Sequence, residues 1–516
     1  MKKEKVIKST LVIVIITILS RISGFFRDAL IASKFGATYL TDAYNVALTI
    51  PNIFFNIIGI AVSTAMIPIL TSIYKQKGKE AVFKFTNQTI FSLLIIMIVL
   101  CLLAFAYTEE IVRVLVPNFS GDEYFLTLYL TKYSLVNILF MSLNSAYTAL
   151  LQTFNKFGVP ALVGFIVNLP IIVYLLFNNQ ANIEELMIVT VIGFGLQIIV
   201  QMPSLIKMGY RIQFHFGFKD GNFKKLLQLI FPVLIGSGVN QINTFVDRYM
   251  ASYLPAGSIA AMDFATKLST SIYAIFAYAV VTVIYPLLSS IKVQQDSQKL
   301  NEFVYKGINI INIITIPSAL IMMVYSQEMI TLIFKRGAFD DKAVHMTSTA
   351  LTYLSVGIIF WGIRDIYNRV FYTFNDSKTP MINGIIGVFT CIVINILIVE
   401  RVGIAGLAIS TTVSSIVTTC LLHKSISKKL SGFENRFLLK SVFKITIASV
   451  LLIIISISLE SLIFIHLFNS IIALIISICI ACVCYVFILL KLEIREVSII
   501  FEISKNKRNI AESSVS

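Results

Sequence analysis

The sequence predicts an all-α polytopic membrane protein with about fourteen transmembrane helices. Three observations support this fold class: an excess of apolar residues, a series of apolar stretches near the length of a bilayer span, and positive charge that alternates between successive loops. Of the 516 residues, 57% are hydrophobic and 13% are charged, and the mean hydropathy is +0.86. A soluble domain has about 25% charged residues, so lipid must surround most of this chain.

A bilayer-spanning helix needs about 20 mainly apolar residues. The second and eighth of the predicted spans are longer than this, so we expect them to bend or to extend beyond the bilayer. The segment Met1–Val6 is basic, and the apolar run after it continues past Ala32 without a clear cleavage site, which favours a retained first helix over a signal peptide. The predicted spans are 7–33, 42–73, 84–107, 126–153, 159–178, 186–207, 225–252, 259–290, 304–325, 346–374, 380–399, 403–422, 440–461 and 465–490.

Lysine and arginine concentrate in alternate loops, as they do on the cytoplasmic side of membrane proteins. Basic segments include 75–79, 207–225 and 424–436, whereas the loop beginning at Glu109–Glu110 is acidic. Lys335–Arg336 is the exception, and two following aspartates partly balance it. The pattern predicts an even number of spans with both termini in the cytoplasm. We therefore attribute the net charge of +15 to contact with anionic lipid, and no nucleic-acid-binding motif is present.

An internal repeat relates two parts of the chain. The string TFN occurs at Thr153–Asn155 and again at Thr373–Asn375, and the prolines that follow, Pro160 and Pro380, are 220 residues apart. Six spans fit inside this period, which predicts two parallel six-helix lobes that enclose a central site and change its access by rocking. Further pairs at nearly the same offset are Tyr147 with Tyr367, Asp28 with Asp247, and Pro68 with Pro286.

The repeat sets the predicted domain boundaries. Residues 1–208 form an N-terminal lobe of spans one to six, and residues 209–430 form a C-terminal lobe of spans seven to twelve. Residues 431–496 supply two further spans outside the repeat, and residues 497–516 form a polar cytoplasmic tail.

All six cysteines lie in apolar runs. Cys479, Cys482 and Cys484 have a spacing that resembles a metal site, but no histidine or carboxylate lies near them in the sequence. We interpret the cysteines as small buried hydrophobic residues and predict neither a disulfide nor a metal–thiolate site.

Several charged residues fall inside predicted spans, where each costs roughly 2.5–3.5 kcal/mol on insertion scales and therefore needs a partner, water or a function. Ordinary explanations exist: Arg27 at a helix end reaching the interface, an Asp365–Arg369 pair one helical turn apart, and Asp247–Arg248 at the bilayer surface. For the set as a whole we favour a basic cavity that binds phosphate, since guanidinium groups bind phosphate oxygens in a bidentate manner. The residues proposed to line it are Arg21, Arg27, Lys267 and Arg364, with Asp28 and Asp263 nearby in sequence.

Three segments of the chain have the form of family signatures. They are SRISGFFRDALIASKFGATYLTDAYNVALTIPN at Ser20–Asn52, KRGAFD at Lys335–Asp340 and RVFYTFNDSKTP at Arg369–Pro380. Together these segments resemble the MurJ (MviN) family of lipid II flippases. The resemblance covers roughly residues 7–430. It implies the fold of the MOP superfamily, with two six-helix lobes in a V shape and two extra helices that form a groove for a lipid tail.

The resemblance also implies functional residues. Arg21 and Arg27 match the family's essential first-helix arginines, and Asp42 matches an acidic position at the start of the second helix. Lys267 stands where the family usually has arginine, and Arg364 lies about where a further cavity arginine is expected. Some relatives bind sodium between helices seven, eleven and twelve. The matching candidates here are Asp247, Asn395 and Thr411.

One departure from the family pattern concerns the second helix. Many members carry an arginine pair and AEGA after the PN dipeptide, whereas this chain has Phe54, Phe55 and Asn56 followed by IGIAVS. The second helix therefore contributes less positive charge, which leaves the identity of the glycan open.

The resemblance implies a lipid II flippase that moves a polyprenyl-diphosphate-linked peptidoglycan precursor across the bacterial plasma membrane by alternating access. Its partners would be lipid II and membrane lipids, without nucleic acid, and we expect a monomer. No covalent chemistry and no cofactor are expected, with sodium as a candidate coupling ion. Two alternatives share the fold: a flippase for another polyprenyl-linked polysaccharide, and a cation-coupled multidrug exporter, which the basic membrane residues disfavour. A third, an enzyme of lipid-linked sugars, is disfavoured because the four histidines are scattered.

Overall fold

The computed structural model describes residues 2–214, 221–274, 297–430, 433, 435–461, 470–494 and 496. Every regular element within these ranges is helical, and they contain no β-strand. The all-α prediction is therefore confirmed.

The helices are numbered in chain order, and a π-helical turn, Phe55–Gly59, joins α2 to α3. The first nine are α1 (Lys2–Phe35), α2 (Tyr39–Phe54), α3 (Ile60–Ala106), α4 (Thr108–Leu115), α5 (Gly121–Ser134), α6 (Asn137–Thr153), α7 (Gly158–Phe177), α8 (Ile183–Lys207) and α9 (Gly221–Ala251). The rest are α10 (described over 258–274), α11 (Ser297–Val324), α12 (Ser326–Phe334), α13 (Asp341–Thr373), α14 (Lys378–Val402), α15 (Ile404–Lys429), α16 (Asn435–Leu459) and α17 (Ser470–Lys491).

These helices fall where membrane spans were predicted. Ten helical stretches of the described chain are long and apolar enough to cross a bilayer. One of them, Tyr39–Ala106, covers both the second and the third predicted span. The first, seventh and eighth predicted spans coincide with α1, α9 and the described part of α10, which are not among the ten. The chain is thus a multi-pass membrane protein, and the count of fourteen spans stays a prediction.

The long stretch that contains α3 is interrupted at Gly78. This residue has φ +79° and ψ −174°, a conformation outside the helical region that glycine adopts without a steric penalty. The break lies between the two predicted spans 42–73 and 84–107, in a stretch rich in lysine. Glycine therefore allows the chain to leave one span and begin the next within a few residues.

A proline inside α2 is compensated by a neighbouring helix. Pro51 has no N–H, so the carbonyl of Ala47 loses its usual helical donor. The hydroxyl of Ser134, at the end of α5, donates to this carbonyl at 2.6 Å, and it also lies 2.9 Å from the carbonyl of Thr131. A side chain of α5 thus satisfies a backbone group that proline frees in α2, as membrane helices require.

A proline in α11 is compensated in the same way by a side chain of another helix. Pro317 frees the carbonyl of Ile313, and the phenol of Tyr485 on α17 donates to that carbonyl at 2.9 Å. Tyr485 is 6% exposed, so the hydrogen bond is shielded from solvent. The contact ties α17 to α11.

The two TFN strings end their helices with the same geometry. Asn155 and Asn375 adopt φ values of +58° and +54°, the left-handed conformation that asparagine tolerates at a helix C-terminus. In each case the next residue donates its N–H to the carbonyl five residues earlier, at 2.9 and 3.0 Å. The helices that follow, α7 and α14, also begin 220 residues apart. The sequence repeat is therefore a repeat of local backbone structure.

Contacts divide the chain into two compact units. The first contains Met1–Phe264 and Ile333–Met346, and the second contains Ala265–Leu332 and Thr347–Ser516. Apolar clusters in the first unit include Met66 with Leu150. Those of the second unit include Ile308 with Tyr367, and Ile445 with Leu474. The lobe boundaries predicted from the repeat stay predictions.

Candidate functional site

Arg27, in the second half of α1, is half-buried and bonded through three of its nitrogen atoms. Its Nε and Nη2 donate to Asp28 Oδ1 at 3.0 and 2.7 Å, and its Nη1 donates to Asn168 Oδ1 at 2.8 Å. Asp28 is 5% exposed, so this ion pair is screened little by solvent. Three of the five guanidinium N–H groups are used, which leaves one on each Nη for a further acceptor.

Asn168 connects this ion pair to the rest of α1. While its Oδ1 accepts from Arg27, its Nδ2 donates to Ser23 Oγ at 3.0 Å, so the amide satisfies groups at two successive turns of α1. Gly24 lies opposite, where a Cβ would come within 3.3 Å of Asn168 Nδ2. The small residue leaves room for the amide, and the hydrogen bonds fix α7 against α1.

A cavity of about 350 Å³ opens beside this network, inside the first compact unit. Elements α1, α6, α7 and α8 and the π-helical turn line it. The polar contributors are the guanidinium of Arg27, the side-chain amides of three residues and one hydroxyl, and the rest of the wall is glycine, aliphatic, methionine and phenylalanine residues. The amide and hydroxyl residues are Asn144, Asn168, Gln197 and Ser20. Its size lies at the lower end of the roughly 300–1,000 Å³ typical of small-molecule pockets.

Two of the motifs that carry the family resemblance meet at the end of α1. The N–H of Ala338 donates to the carbonyl of Ser33 at 2.8 Å. Gly36 and Gly337 have φ values of +66° and +60°, and a Cβ on either would overlap a backbone carbonyl of the facing segment. Glycine is therefore required twice where the FGA and KRGAFD strings pack together.

Asp42 lies beside this junction and is 2% exposed. Its two carboxylate oxygens accept hydrogen bonds from the backbone N–H groups of Gly257 and Ala260, both at 2.6 Å. A carboxylate at the first turn of a helix satisfies donors that have no intrahelical partner and also complements the helix dipole. These contacts give Asp42 a role in positioning α10, and its predicted contact with substrate stays a prediction.

The remaining cavity cations are distributed between the two compact units. Arg21, in the first unit, is exposed and makes no hydrogen bond or ion pair with any residue that the structure describes. Arg364, on α13 of the second unit, is half-buried and likewise lacks such a partner among the described residues. Lys267 is half-buried on α10, also in the second unit. The convergence of these cations with Arg27 stays a prediction.

Two acidic residues near these cations have partners that sequence reasoning did not identify. Asp263 forms an ion pair with Arg248 of α9, in which both carboxylate oxygens lie 2.8 and 2.9 Å from Nη2. Asp365 accepts a hydrogen bond of 2.5 Å from the phenol of Tyr273. Such partners lie on other helices, so only the tertiary structure reveals them.

The candidate sodium ligands also divide between the units. Asn395 on α14 is fully buried, and its Oδ1 accepts from Ser410 Oγ at 2.5 Å. The hydroxyl of Thr411 on α15 donates to the carbonyl of Leu407 at 3.1 Å. The lone pairs of this hydroxyl oxygen therefore remain as acceptors for a cation. Asp247 is half-buried on α9 of the first unit. A cation that bound Asn395 Oδ1 would therefore have to share or displace the Ser410 hydroxyl, and the sodium site stays a prediction.

The amides around the cavity are functional candidates that the sequence analysis missed. Asn144, Asn168 and Gln197 are uncharged, so they do not stand out among the charged residues of the membrane spans. The available signal was the presence of carboxamides within apolar runs, since buried polar groups in a bilayer also need partners or a function. Asn168 in particular interrupts the apolar run of α7.

Comparison with known proteins decides the family. A family model described as "Lipid II flippase MurJ" matches residues 31–482. The chain belongs to the MurJ family. A MurJ relative from Buchnera aphidicola subsp. Baizongia pistaciae, named a probable lipid II flippase, is 29% identical over 87% of this chain and 89% of its own length. The protein from Burkholderia cenocepacia named lipid II flippase MurJ is 26% identical over 80% of this chain and 82% of its own length.

Solved structures agree with the assignment to the MurJ family. A structure titled "Lipid II flippase MurJ, inward closed conformation" matches with a TM-score of 0.79 and 28% identity, over 93% of this chain and 98% of that chain. A multidrug resistance MATE family transporter of the MOP superfamily matches with a TM-score of 0.67 and 13% identity, over 82% of this chain and 99% of that chain. The second likeness is one of fold alone. The family predicted from the three motifs is thus confirmed, as is the helical membrane fold class predicted from hydropathy.

Proposed function

We propose that this protein is a lipid II flippase. The observation that carries this conclusion is the match of the MurJ family model to residues 31–482, which spans most of the chain. The proposed direction is from the cytoplasmic to the outer leaflet of the bacterial plasma membrane, with both termini in the cytoplasm. Transport requires no bond to be made or broken, so the proposal includes no enzymatic activity.

The diphosphate of the substrate would bind the cationic side chains. Arg21 is exposed and Arg364 is half-buried, and neither has a partner among the described residues, so their guanidinium groups are available to phosphate oxygens. Arg27 retains two N–H groups but is already paired with Asp28. Lys267 would add a charge without the bidentate geometry of arginine. We therefore assign the main contacts with the diphosphate to Arg21 and Arg364, and a secondary contact to Lys267. Arg27 would contact the substrate through its two remaining N–H groups.

The polyprenyl tail would stay in the bilayer beside α16 and α17. These helices carry many exposed apolar side chains, among them Ile454, Val483 and Phe487, which are 53%, 58% and 64% exposed. A hydrocarbon tail needs no specific polar partner there, because lipid and side chains are equally apolar. Alternating access would carry the head group while the tail remained in lipid. Either the membrane potential or a sodium gradient would set the direction of transport. In the second case Asp247, Asn395 and Thr411 would bind the sodium ion.

Complementation of a MurJ-depleted bacterium tests this proposal. Wild-type protein should restore growth, and Arg21→Ala should fail at an equal level in the membrane. Arg113→Ala is the matched control, because Arg113 has a 67% exposed side chain on the short helix α4, away from the predicted spans. Failure of the wild type despite membrane expression would contradict the lipid II assignment and favour another polyprenyl-linked glycan.

A further inference from the structure

The cavity beside Arg27 contains an amide without a partner. Gln197 on α8 is 3% exposed and lines the cavity, yet its side chain makes no hydrogen bond with any residue in the described part of the chain. Both a donor, Nε2, and an acceptor, Oε1, are therefore available to whatever occupies this space.

Other polar groups of the cavity are also partly unused. Asn144 accepts from Gln201 Nε2 at 2.7 Å through its Oδ1, which leaves its own Nδ2 donor. The hydroxyl of Ser20 makes no hydrogen bond to any described residue. Each Nη of Arg27 keeps one N–H. The cavity thus presents several donors and, at Gln197 and Ser20, acceptors as well.

The electrostatics of the cavity disfavour an anion. Among the described residues that line it, Arg27 alone is charged, and Asp28 neutralises that charge at 2.7 Å. At neutral pH a phosphate group has hydrogen-bond acceptors but no donors, so it would leave Gln197 Oε1 without a donor. Its negative charge would also lie near the Asp28 carboxylate. A group that carries both donors and acceptors and no charge satisfies all these atoms.

A sugar that bears hydroxyls and an amide has this chemistry. Phe55 and Phe194 contribute apolar surface to the same cavity, against which the less polar face of a sugar ring packs. A volume of about 350 Å³ accommodates one sugar ring but not a disaccharide with its peptide. We infer that this cavity binds one uncharged, amide-bearing sugar of the lipid-linked glycan, while the diphosphate binds elsewhere.

This inference rests on the proposed function, because it places one part of the proposed substrate. The sugar would bind in the cavity, and the diphosphate would bind separate cationic side chains. Gln197 is assigned as a specificity residue, since a lipid that lacks the sugar makes no use of it.

Binding measurements with two lipids test the inference. The probes are lipid II and undecaprenyl diphosphate, which has the same tail and diphosphate but no sugar, each titrated into purified protein in detergent. Gln197→Met keeps the approximate volume and removes the hydrogen bonds. It should weaken lipid II binding about five- to thirty-fold, corresponding to one or two lost hydrogen bonds, and change undecaprenyl diphosphate binding less than about two-fold.

A second variant tests the same cavity if Gln197→Met does not fold. Val163→Phe fills the cavity from α7 without removing a polar group, and it should also weaken lipid II binding selectively. Gln180→Met, in an exposed loop outside the cavity, is the matched control and should bind both lipids as the wild type does.

Equal losses for both lipids, or no loss in either monodisperse variant, would overturn the sugar site while leaving the flippase proposal intact. Wild-type protein that binds undecaprenyl diphosphate as tightly as lipid II would also overturn it. Wild-type protein that binds neither lipid would reject the proposed function, and the sugar site with it.

Discussion

The hydrogen bond from Tyr485 to the carbonyl that Pro317 frees should couple these two residues energetically. Tyr485→Phe removes one hydroxyl and leaves the Ile313 carbonyl without a donor in a buried part of the second unit. Hydrogen bonds between membrane helices average about 0.6 kcal/mol and reach about 1.7 kcal/mol. We expect the upper part of this range, about 1–1.5 kcal/mol, because proline has removed the carbonyl's alternative partner.

A double-mutant cycle isolates this effect. Pro317→Ala restores a backbone N–H to α11, which can then bond the Ile313 carbonyl within the helix. In that background Tyr485→Phe should cost at most about 0.3 kcal/mol, so the coupling energy should be close to 1 kcal/mol. The free energy of unfolding is measured for the four proteins by reversible titration with SDS in mixed micelles.

The matched control is Tyr372→Phe, which removes a phenol from a 40% exposed side chain on α13. It should show no coupling to Pro317→Ala. An equal cost of Tyr485→Phe in both backgrounds would refute the reasoning, because the tyrosine would then stabilise the protein independently of the proline.

Three further predictions concern other polar contacts, each checked by unfolding in detergent. Ser134→Ala should destabilise by about 1 kcal/mol, and by less when Pro51→Ala restores the backbone donor; an undiminished cost would contradict the pairing. Asp42→Ala should cost about 2–4 kcal/mol by unpairing two buried N–H groups, whereas Asp42→Asn should cost less; equal costs would contradict the cap. The hydrogen bond from Lys429 lowers the pKa of Asp376 to about 2, so the ion pair stabilises the fold above about pH 4 and is lost towards pH 2. Asp376→Asn should therefore destabilise by less than about 1 kcal/mol at pH 6, and the difference should shrink as the pH falls; a constant difference would contradict the ion pair.

The sequence predicts much of this fold because bilayer spans are long and apolar. The helix at residues 7–33 and the break between the second and third spans follow from hydropathy and from the position of lysine. The TFN strings predict a repeat, and asparagine in the left-handed conformation explains why the same residue closes both helices. The compensation of Pro51 and Pro317 could not be predicted, because the donors come from α5 and α17, distant in the chain.

The candidate site is predicted less completely. Charged residues stand out in an apolar sequence, so Arg21, Arg27 and Arg364 were found as a set. Their partners were not, since the pairing of Arg27 with Asn168 depends on the packing of α7 against α1. Gln197 gives a weaker signal than a charge, because amides occur in membrane helices for packing as well as for binding. Its importance emerges only from a burial of 97% combined with an unpaired side chain.

The most direct test of the central claim is the transbilayer movement of lipid II in vesicles that contain the purified protein. Fluorescent lipid II in the inner leaflet becomes accessible to an external quencher as it crosses. Wild-type protein and Arg113→Ala should accelerate this movement equally, and Arg21→Ala and Arg364→Ala should each slow it about ten- to a hundred-fold, as expected for losing a charge-assisted contact with phosphate. Movement no faster than in protein-free vesicles, or full activity in both arginine variants, would contradict the account.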